Sequence, residues 1–235
     1  MKRLFVLVLA LCLLLSGCSV LVTPDSGRKT ELVQGSETPE AFSKLVIDAD
    51  VADVTIACGD GWRVEYALPV APEITLADGA LTILDKTKTL NIIRNTSPTI
   101  RVTVPQDTKL EAAQITVDVG NVKAEKLEIA ALTVKIDTGD TDLEDLVTTG
   151  VSVETDVGNV ELDRVTADRI DVSVDTGDIE LDLPGTQEDY AMELTTDVGN
   201  VEVGGRDQGT KYSGPVGGKT VTASTDVGEI EVEFD

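Results

Sequence analysis

A five-residue phrase, Asp-x-Gly followed by Asp, Asn or Glu and then Val, Ile or Thr, recurs six times after residue 110. Its first Asp lies at positions 118, 137, 156, 175, 197 and 226, so the first three intervals are equal and the last two are longer. Fixed periods in this range are typical of repeat proteins, in which each unit buries its apolar face against its neighbours. The recurrence constrains the fold more than any other feature, and we expect stacked units of about 19 residues.

Apolar columns appear when the units are aligned on that Asp. Three positions before it stand Ile115, Val134, Val153, Val172, Leu194 and Ala223, and four positions after it stand Val122, Thr141, Val160, Ile179, Val201 and Ile230. Six positions after it stand Ala124, Leu143, Leu162, Leu181, Val203 and Val232. Alternating runs rich in Val, Ile and Thr predict β-strands. The pattern predicts an all-β, single-stranded β-solenoid over residues 111–235 and a more irregular β region over residues 42–110, with a sandwich of hairpins as the alternative.

The Gly of each phrase occupies a position at which a tight turn requires positive φ, a conformation that Gly adopts readily. Structural turns are therefore predicted at Gly120, Gly139, Gly158, Gly177, Gly199 and Gly228. An Asp that opens such a turn can accept a hydrogen bond from a backbone N–H two or three residues later. This interpretation explains both recurring letters of the phrase as turn chemistry.

A calcium-binding stripe is the alternative interpretation of the same aspartates, because Ca²⁺ prefers oxygen ligands. The stripe would comprise Asp118, Asp137, Asp156, Asp175, Asp197 and Asp226. The spacing matches neither the EF-hand loop nor the nonapeptide calcium repeat, so the turn interpretation is favoured. No metal, other cofactor or catalytic residue is expected.

The first eighteen residues have the organisation of a secretory signal. Lys2 and Arg3 precede an apolar run from Leu4 to Leu15, which is shorter than the about 20 residues of a membrane span. The ending Leu-Ser-Gly-Cys resembles the lipobox of bacterial lipoproteins, which implies acylation of Cys18. We expect export, removal of a signal peptide at residues 1–18, and a lipid anchor on the extracytoplasmic side of a bacterial membrane.

Residues 19–40, rich in Ser, Thr, Gly and Pro, predict a flexible tether before a β domain at residues 42–235. The formal net charge of −24 makes nucleic acid and bare anionic membrane poor partners. The membrane contact is expected through the lipid, and the sequence does not identify a protein or glycan partner. Since the chain has no His to activate a thiol, Cys58 is expected to be a small buried residue.

Three further segments bear on function. Trp62 and Tyr66 share one face of a strand, which favours a core position over a sugar-stacking platform. Residues 204–220 interrupt the last repeats and are interpreted as an excursion that the solenoid tolerates, with a recognition loop as the alternative. Residues 229–234 alternate charged and apolar side chains in what is expected to be the last coil, where a partner strand could pair with the edge.

The runs FSKLVIDADVADVTIACGDGWRVEYAL and EITLADGALTIL, with the ladder of Asp-x-Gly turns, resemble a bacterial β-strand-repeat family of candidate adhesin domains of unknown function. The resemblance covers residues 42–235 and implies a stacked, β-helix-like fold without catalytic residues to carry over. Ala52 departs from the pattern by standing where the other phrases have Gly, which puts a tight turn there in doubt.

These observations favour a non-enzymatic cell-envelope lipoprotein that acts as a binding or adhesion module. The first alternative is an envelope-stress, regulatory or structural component that contacts membrane or cell-wall partners of its own cell. A polysaccharide-active enzyme is the second alternative, since β-helices also carry such sites, but nothing in the sequence marks a nucleophile or a general acid and base.

Overall fold

The computed structural model describes residues 32–87 and 97–235, and these ranges contain twenty strands and one short 3-10 turn. The predicted signal peptide, Cys18 and the first part of the predicted tether lie outside the described residues. Within the described ranges, no helix has the length and apolar character needed to cross a membrane.

The strands fall into three groups along the chain. Before the repeats lie β1 (Val33–Glu37), β2 (Lys44–Val51), β3 (Asp53–Gly59), β4 (Arg63–Leu68), β5 (Glu73–Ala77), β6 (Ala80–Leu84) and β7 (Thr99–Pro105). The repeats contain β8 (Lys109–Val119), β9 (Val122–Glu125), β10 (Glu128–Thr138), β11 (Thr141–Glu144), β12 (Val147–Val157), β13 (Val160–Asp163), β14 (Thr166–Thr176), β15 (Ile179–Leu183), β16 (Tyr190–Val198) and β17 (Val201–Val203). The last strands are β18 (Lys211–Ser213), β19 (Lys219–Val227) and β20 (Ile230–Phe234), and the 3-10 turn covers Gln187–Asp189.

Two ten-stranded sheets contain all twenty of these strands, which confirms the all-β prediction. The long-strand sheet has the order β18-β16-β19-β14-β12-β10-β8-β2-β6-β5. The short-strand sheet has the order β1-β4-β7-β3-β9-β11-β13-β15-β20-β17. In each repeat unit, one long strand leads through an Asp-x-Gly phrase into one short strand of the other sheet.

Strands of successive units pair in parallel from β8 to β15, and the partners occupy equivalent positions in their units. Ile136 of β10, for example, pairs with Val117 on one side and Thr155 on the other. The pairing offset equals the sequence period, so equivalent residues of neighbouring units stack on one another. Antiparallel pairs lie only towards the two ends of the sheets, at β1–β4–β7, β5–β6 and β16–β18, as far as the described residues extend.

The inward-facing residues of both sheets form one hydrophobic cluster. The three apolar columns predicted from the alignment are buried throughout, including the Thr at position 141. Each long strand alternates buried and exposed residues, as expected where one face of a sheet packs on a core. Trp62 and Tyr66 are partly buried and pack against the outside of this cluster, with the Trp62 ring 4.4 Å from the Phe42 ring, so the predicted core position is met only in part.

The last unit in sequence is not the last unit in space. β19 lies between β14 and β16, and β20 lies between β15 and β17, so β16 and β17 form the end of the stack. The prediction that residues 229–234 form the terminal coil with an edge free for a partner strand is wrong. Both edges of β20 are already paired, because the chain returns to fill a position between two earlier units.

The predicted tether is wrong for its last part, because Val33–Glu37 pairs antiparallel with β4. A Cβ atom at Gly35 would lie 2.3 Å from the Tyr66 ring, so the Gly lets this ring lie against the strand. The folded region therefore begins by Val33 rather than at residue 42.

The excursion at residues 204–220 covers the end of the stack. Val201 of β17 donates its N–H to the Gly209 carbonyl at 2.7 Å and accepts from the Gln208 N–H at 2.8 Å. β18 then pairs with β16, the last long strand. Since this segment pairs with both end strands, it acts as a cap, and the interpretation as a merely tolerated excursion is corrected.

Candidate functional site

The turns of the repeat units form a tightly packed column in which the Gly residues contact one another. Gly158 has a φ of 147°, and a Cβ atom there would lie 1.9 Å from the carbonyl oxygen of Gly139 in the neighbouring unit. The column begins at Ala52, whose carbonyl oxygen would lie 2.0 Å from a Cβ at Gly120. Ala52 is not in the positive-φ region, so it joins the column without adopting the conformation of the Gly turns.

A ladder of hydrogen bonds from side chain to backbone runs along this column, one residue beyond each Gly. Asn159 donates its backbone N–H to Asp140 Oδ1 at 2.8 Å, and Asn159 Oδ1 accepts from the Asp178 N–H at 2.9 Å. The complete series runs through Asp53, Asn121, Asp140, Asn159, Asp178 and Glu229. The predicted turn bond is thus replaced by bonds between units, and they are made by the fourth residue of the phrase.

The aspartates that open the phrases form an exposed row with one carboxylate per unit. Their order in space is Asp118, Asp137, Asp156, Asp175, Asp226 and Asp197. Within the described residues none of them accepts a hydrogen bond from the turn that it opens. Partial burial, together with the carboxylates of Asp137 and Asp48, raises the pKa of Asp118.

No three carboxylates within the described ranges converge so that they could hold a metal ion. Ca²⁺ takes about six to eight oxygen ligands, whereas this row offers one carboxylate per unit. The arrangement is a line of separate charges rather than a cage of ligands.

A shallow groove of 400 Å³ lies beside this row on the outer face of the long-strand sheet. We call it the polar groove, and its polar lining is Ser152, Glu154, Asp171, Ser173, Asp175, Thr222 and Ser224. The Ser224 hydroxyl lies 3.5 Å from the Ser173 hydroxyl, and Arg169 pairs with Asp171 at the margin. Hydroxyls and carboxylates in register suit a ligand that is rich in hydrogen-bonding groups.

The outer face of the short-strand sheet is more strongly acidic. Glu161, Glu180, Glu231 and Glu202 pair in sequence across four neighbouring strands. Burial, with repulsion from neighbouring carboxylates, raises the pKa of Glu161 and of Glu231. Lys123, which bonds to Asp142 at 2.6 Å, neutralises only the beginning of this row.

A second depression, of 360 Å³, lies where β3 leads into β4. It is lined by Thr38, Asp60, Gly61, Trp62, Arg63, Glu65 and Thr103. Arg63 and Glu65 form a loose ion pair at 3.9 Å. This depression lies near the irregular end of the sheets, away from the repeats that build the polar groove.

Cys58 is half-buried against the core, and its thiol donates a hydrogen bond to the Lys126 carbonyl oxygen at 2.7 Å. Burial, with the carboxylate of Asp107, raises the pKa of this thiol. Both effects favour the thiol over the reactive thiolate.

Sequence reasoning located the aspartate row and the turn glycines but missed the polar groove and the hydrogen-bond ladder. The signal for the ladder is present in the phrase, because its fourth residue is Asn or Asp in five of six copies. The groove requires Thr222 and Ser224 to lie beside Ser173, which depends on the unexpected position of β19. Cys18 lies outside the described residues.

A two-sheet, all-β repeat protein without an α-helix in its described residues is the class that these features define. The chain belongs to the Toastrack DUF4097 family, whose model matches residues 42–182 and, in a second overlapping match, residues 73–233. The resemblance inferred from the sequence is thereby confirmed at the level of the family.

A comparison with solved structures finds similar chains. A candidate cell adhesion protein from Clostridium sporogenes is 15% identical, with a TM-score of 0.56 over 87% of this chain and 100% of that chain. A candidate adhesin from Bacteroides fragilis is 17% identical, with a TM-score of 0.48 over 86% of this chain and 97% of that chain. At such identities the Clostridium likeness shows the fold alone. A search of curated proteins finds no match.

Proposed function

We propose that this protein is an exported, lipid-anchored binding module that carries out no catalysis. Its repeats wind as a single-stranded β-solenoid of about 19 residues per coil, and its ligand lies along the polar groove. The observation that carries the proposal is the groove itself, in which three parallel strands present hydroxyls and carboxylates in register. Sheet faces with repeated polar residues suit an extended polymer or a protein surface, because the contacts repeat along the stack.

Anchoring is supported by the Leu-Ser-Gly-Cys ending, which implies a lipid on Cys18. Since the folded region begins by Val33, only the residues between these two positions are left as a tether. A flexible chain of about fourteen residues spans roughly 20 Å on average. The repeats would therefore remain close to the extracytoplasmic side of the membrane.

A non-enzymatic role is supported by the chemistry of the described side chains. The chain contains no His, and Cys58 is held as a hydrogen-bonded thiol. The six aspartates that open the phrases lie in an exposed row with one per unit, rather than as a buried pair with divergent pKa values of the kind that general acid and base catalysis uses. No cofactor is part of the proposal.

Two forms of binding fit this geometry. Adhesion to other cells or to glycans is supported by the similarity to the Clostridium protein, which is described as a candidate cell adhesion protein. Contact with membrane or wall components of the same cell is supported by the short tether, which limits how far the groove extends outwards.

In-cell crosslinking of the full-length protein, followed by mass spectrometry of the captured molecules, tests the proposal. Thr222→Arg places a large cation in the polar groove, and Thr99→Arg makes the same change on an exposed strand position of the short-strand sheet. Capture that is lost with Thr222→Arg and retained with Thr99→Arg supports the groove. The reverse result places the ligand on the short-strand sheet and contradicts the proposed site.

The identity of the captured molecules distinguishes the two forms of binding. A membrane or wall-synthesis protein of the same cell favours the envelope role. Adhesion is favoured when nothing from the same cell is captured and the purified protein binds foreign cells or glycans. A polysaccharide that is shortened during incubation would contradict the non-enzymatic part of the proposal.

A further inference from the structure

The C-terminal residues 219–235 fill a slot between two units that precede them in the chain. We call these residues the C-terminal insert. Ala223 of β19 pairs with Val172 of β14 on one side and with Leu194 of β16 on the other. β20 lies between β15 and β17 in the same way. The regular units, in contrast, pair with the units directly before and after them in sequence.

The insert contributes buried side chains to both sheets. Val221, Ala223, Ile230 and Val232 are at most 1% exposed. Without the insert, β14 and β16 would each lose their shared neighbour, and two strand edges would open in each sheet. Open edges of this kind are templates for pairing with another strand.

The slot is specific for the sequence of the insert. Thr225 Oγ1 donates to the Gly177 carbonyl oxygen at 3.0 Å, and the Glu229 N–H donates to Asp178 Oδ1 at 2.8 Å. A Cβ atom at Gly228 would lie 1.9 Å from the Gly177 oxygen, so only Gly fits at that position. A strand that fills the slot must therefore present Thr and Gly at these spacings, as the insert does. The third bond uses a backbone N–H, which any residue except Pro supplies.

The walls of the slot are held in part by contacts that do not involve the insert, although Tyr190 also packs against Phe234 of the insert. The connection between β15 and β16 contains Thr186, whose N–H and hydroxyl both donate to Asp189 Oδ2, at 2.9 and 3.0 Å. The Tyr190 hydroxyl donates to the Pro184 carbonyl oxygen at 2.7 Å. This connection precedes the insert in sequence, and it leads the chain from β15 to β16 across the space that the insert later fills.

A single short linker, residues 214–218, attaches the insert to the rest of the chain. It passes around the beginning of β16, because β18 and β19 lie on opposite sides of that strand. A Cβ atom at Gly217 would lie 2.4 Å from the backbone of Asp189 and Tyr190, so the linker lies directly against β16. All other contacts of the insert are with elements that a second molecule presents identically.

We propose that the C-terminal insert is exchangeable, and that the slot of one molecule accepts the insert of a second copy to form a reciprocal strand-exchanged dimer. The contacts inside the slot are the same in both arrangements, so the equilibrium depends on the linker and on protein concentration. A short flexible linker gives an effective concentration in the millimolar range, which favours the closed monomer in dilute solution. Crowding of many copies on one surface, or restriction of the linker, favours exchange.

Shortening the linker in the full-length chain tests this proposal. Deleting residues 215–218 leaves two Cα steps between Ser213 and Lys219, at most about 7.6 Å. Two strand spacings amount to about 9.6 Å, so the shortened linker cannot pass around β16 within one molecule while β18 stays paired with β16. The expected result is a twofold increase in mass by light scattering. The matched control inserts Gly-Ser-Gly after Val216 and is expected to remain a monomer.

A crosslink identifies the exchanged strands. Ser173 and Ser224 face each other across β14 and β19 with their hydroxyl oxygens 3.5 Å apart. Copies carrying Ser173→Cys and copies carrying Ser224→Cys, both with Cys12, Cys18 and Cys58 replaced by Ser, are unfolded together, refolded at high concentration and treated with a short thiol crosslinker. Exchange predicts a linked pair of chains joined at 173 and 224 by peptide mapping, at higher yield with the shortened linker.

Three results would overturn the proposal. The first is a folded monomer with the shortened linker, and the second is a dimer whose chains are not joined at 173 and 224, which indicates surface association. If the shortened chain does not fold, the crosslinking experiment on the refolded pair with the natural linker tests the proposal instead. The third overturning result is then the absence of a crosslink between residue 173 of one chain and residue 224 of the other.

Discussion

Replacing one glycine of the turn column is expected to destabilise the whole stack. In Gly158→Ala, the new methyl carbon would lie 1.9 Å from the Gly139 carbonyl oxygen, at a residue whose φ is 147°. Holding a residue other than Gly in a sparsely populated region of this kind costs about 1–3 kcal/mol. Relief of the clash must move the neighbouring turn, which disturbs at least two hydrogen bonds of about 0.5–1.5 kcal/mol each. The expected loss in the free energy of unfolding is therefore about 2–6 kcal/mol.

The same unit supplies a matched control. Gly150 lies in β12, where φ is not positive, and a Cβ atom there would find its nearest neighbour, the Arg169 carbonyl oxygen, at 4.0 Å. Gly150→Ala removes conformational freedom from the unfolded chain without a clash, so a gain of about 0.4–1 kcal/mol is expected. The two variants make the same chemical change within one unit and differ only in the space and backbone conformation that the methyl group meets.

Urea unfolding of the full-length chains measures both free energies. Circular dichroism follows the strands, and the fluorescence of Trp62, the single tryptophan of the chain, follows the irregular end of the sheets. Coincident transitions would show that the stack unfolds as one unit. A loss below about 1 kcal/mol for Gly158→Ala, or equal losses for the two variants, would refute the reasoning from the turn column.

Three further outcomes are expected. Asn159→Ala removes the acceptor of the Asp178 N–H and should cost about 1–2 kcal/mol in urea unfolding, whereas Asn159→Gln with no loss would contradict the ladder geometry. The pKa values of Glu161 and Glu231 are raised in the folded state, so the melting temperature should rise as the pH falls from 7 towards about 4.5. Below about pH 4 the melting temperature should fall again as Asp145 protonates, because the hydrogen bond to Arg164 lowers the pKa of Asp145 in the folded state. A melting temperature that declines steadily from pH 7 would contradict this expectation. Calcium and EDTA should give equal melting temperatures, and a rise of several degrees with calcium would revive the calcium stripe.

The parts of the fold that follow from local pattern were predictable from sequence. The regular period and the alternation around Ile136 fix strands, burial and parallel register, because like residues stack on like. The order of the last two units was not predictable in this way. Ile179 and Leu181 of β15 offer the same apolar positions to β17 and to β20, so hydrophobic pattern alone does not choose between them.

The second corner of each unit also escaped sequence reasoning. Lys126, Asp145 and Arg164 adopt left-handed φ values of 58°, 53° and 52°, although none of them is Gly or Asn. Arg164 bonds to Asp145 of the neighbouring unit at 2.7 Å, and the apolar residue that follows each corner returns to the core. Contacts between units stabilise a conformation that local propensity disfavours, and such contacts appear only once the register is known.

The hydrogen-bond ladder offers a physical reason why the C-terminal insert lies before the last unit in space. The residue at the ladder position in the insert is Glu229, whose N–H donates to Asp178 Oδ1. Within the described residues, the Glu229 side chain accepts no bond from the Asn200 N–H, so the ladder ends at Glu229. With its amide nitrogen facing the cap, Asn200 instead donates to Asp207 Oδ1 at 2.8 Å. The unit that contains Asn200 bonds to the cap and therefore lies at the end of the stack. The insert, whose Glu229 bonds only to the preceding unit of the ladder, lies next to it. The chemistry of one column thus distinguishes two units whose hydrophobic patterns are interchangeable.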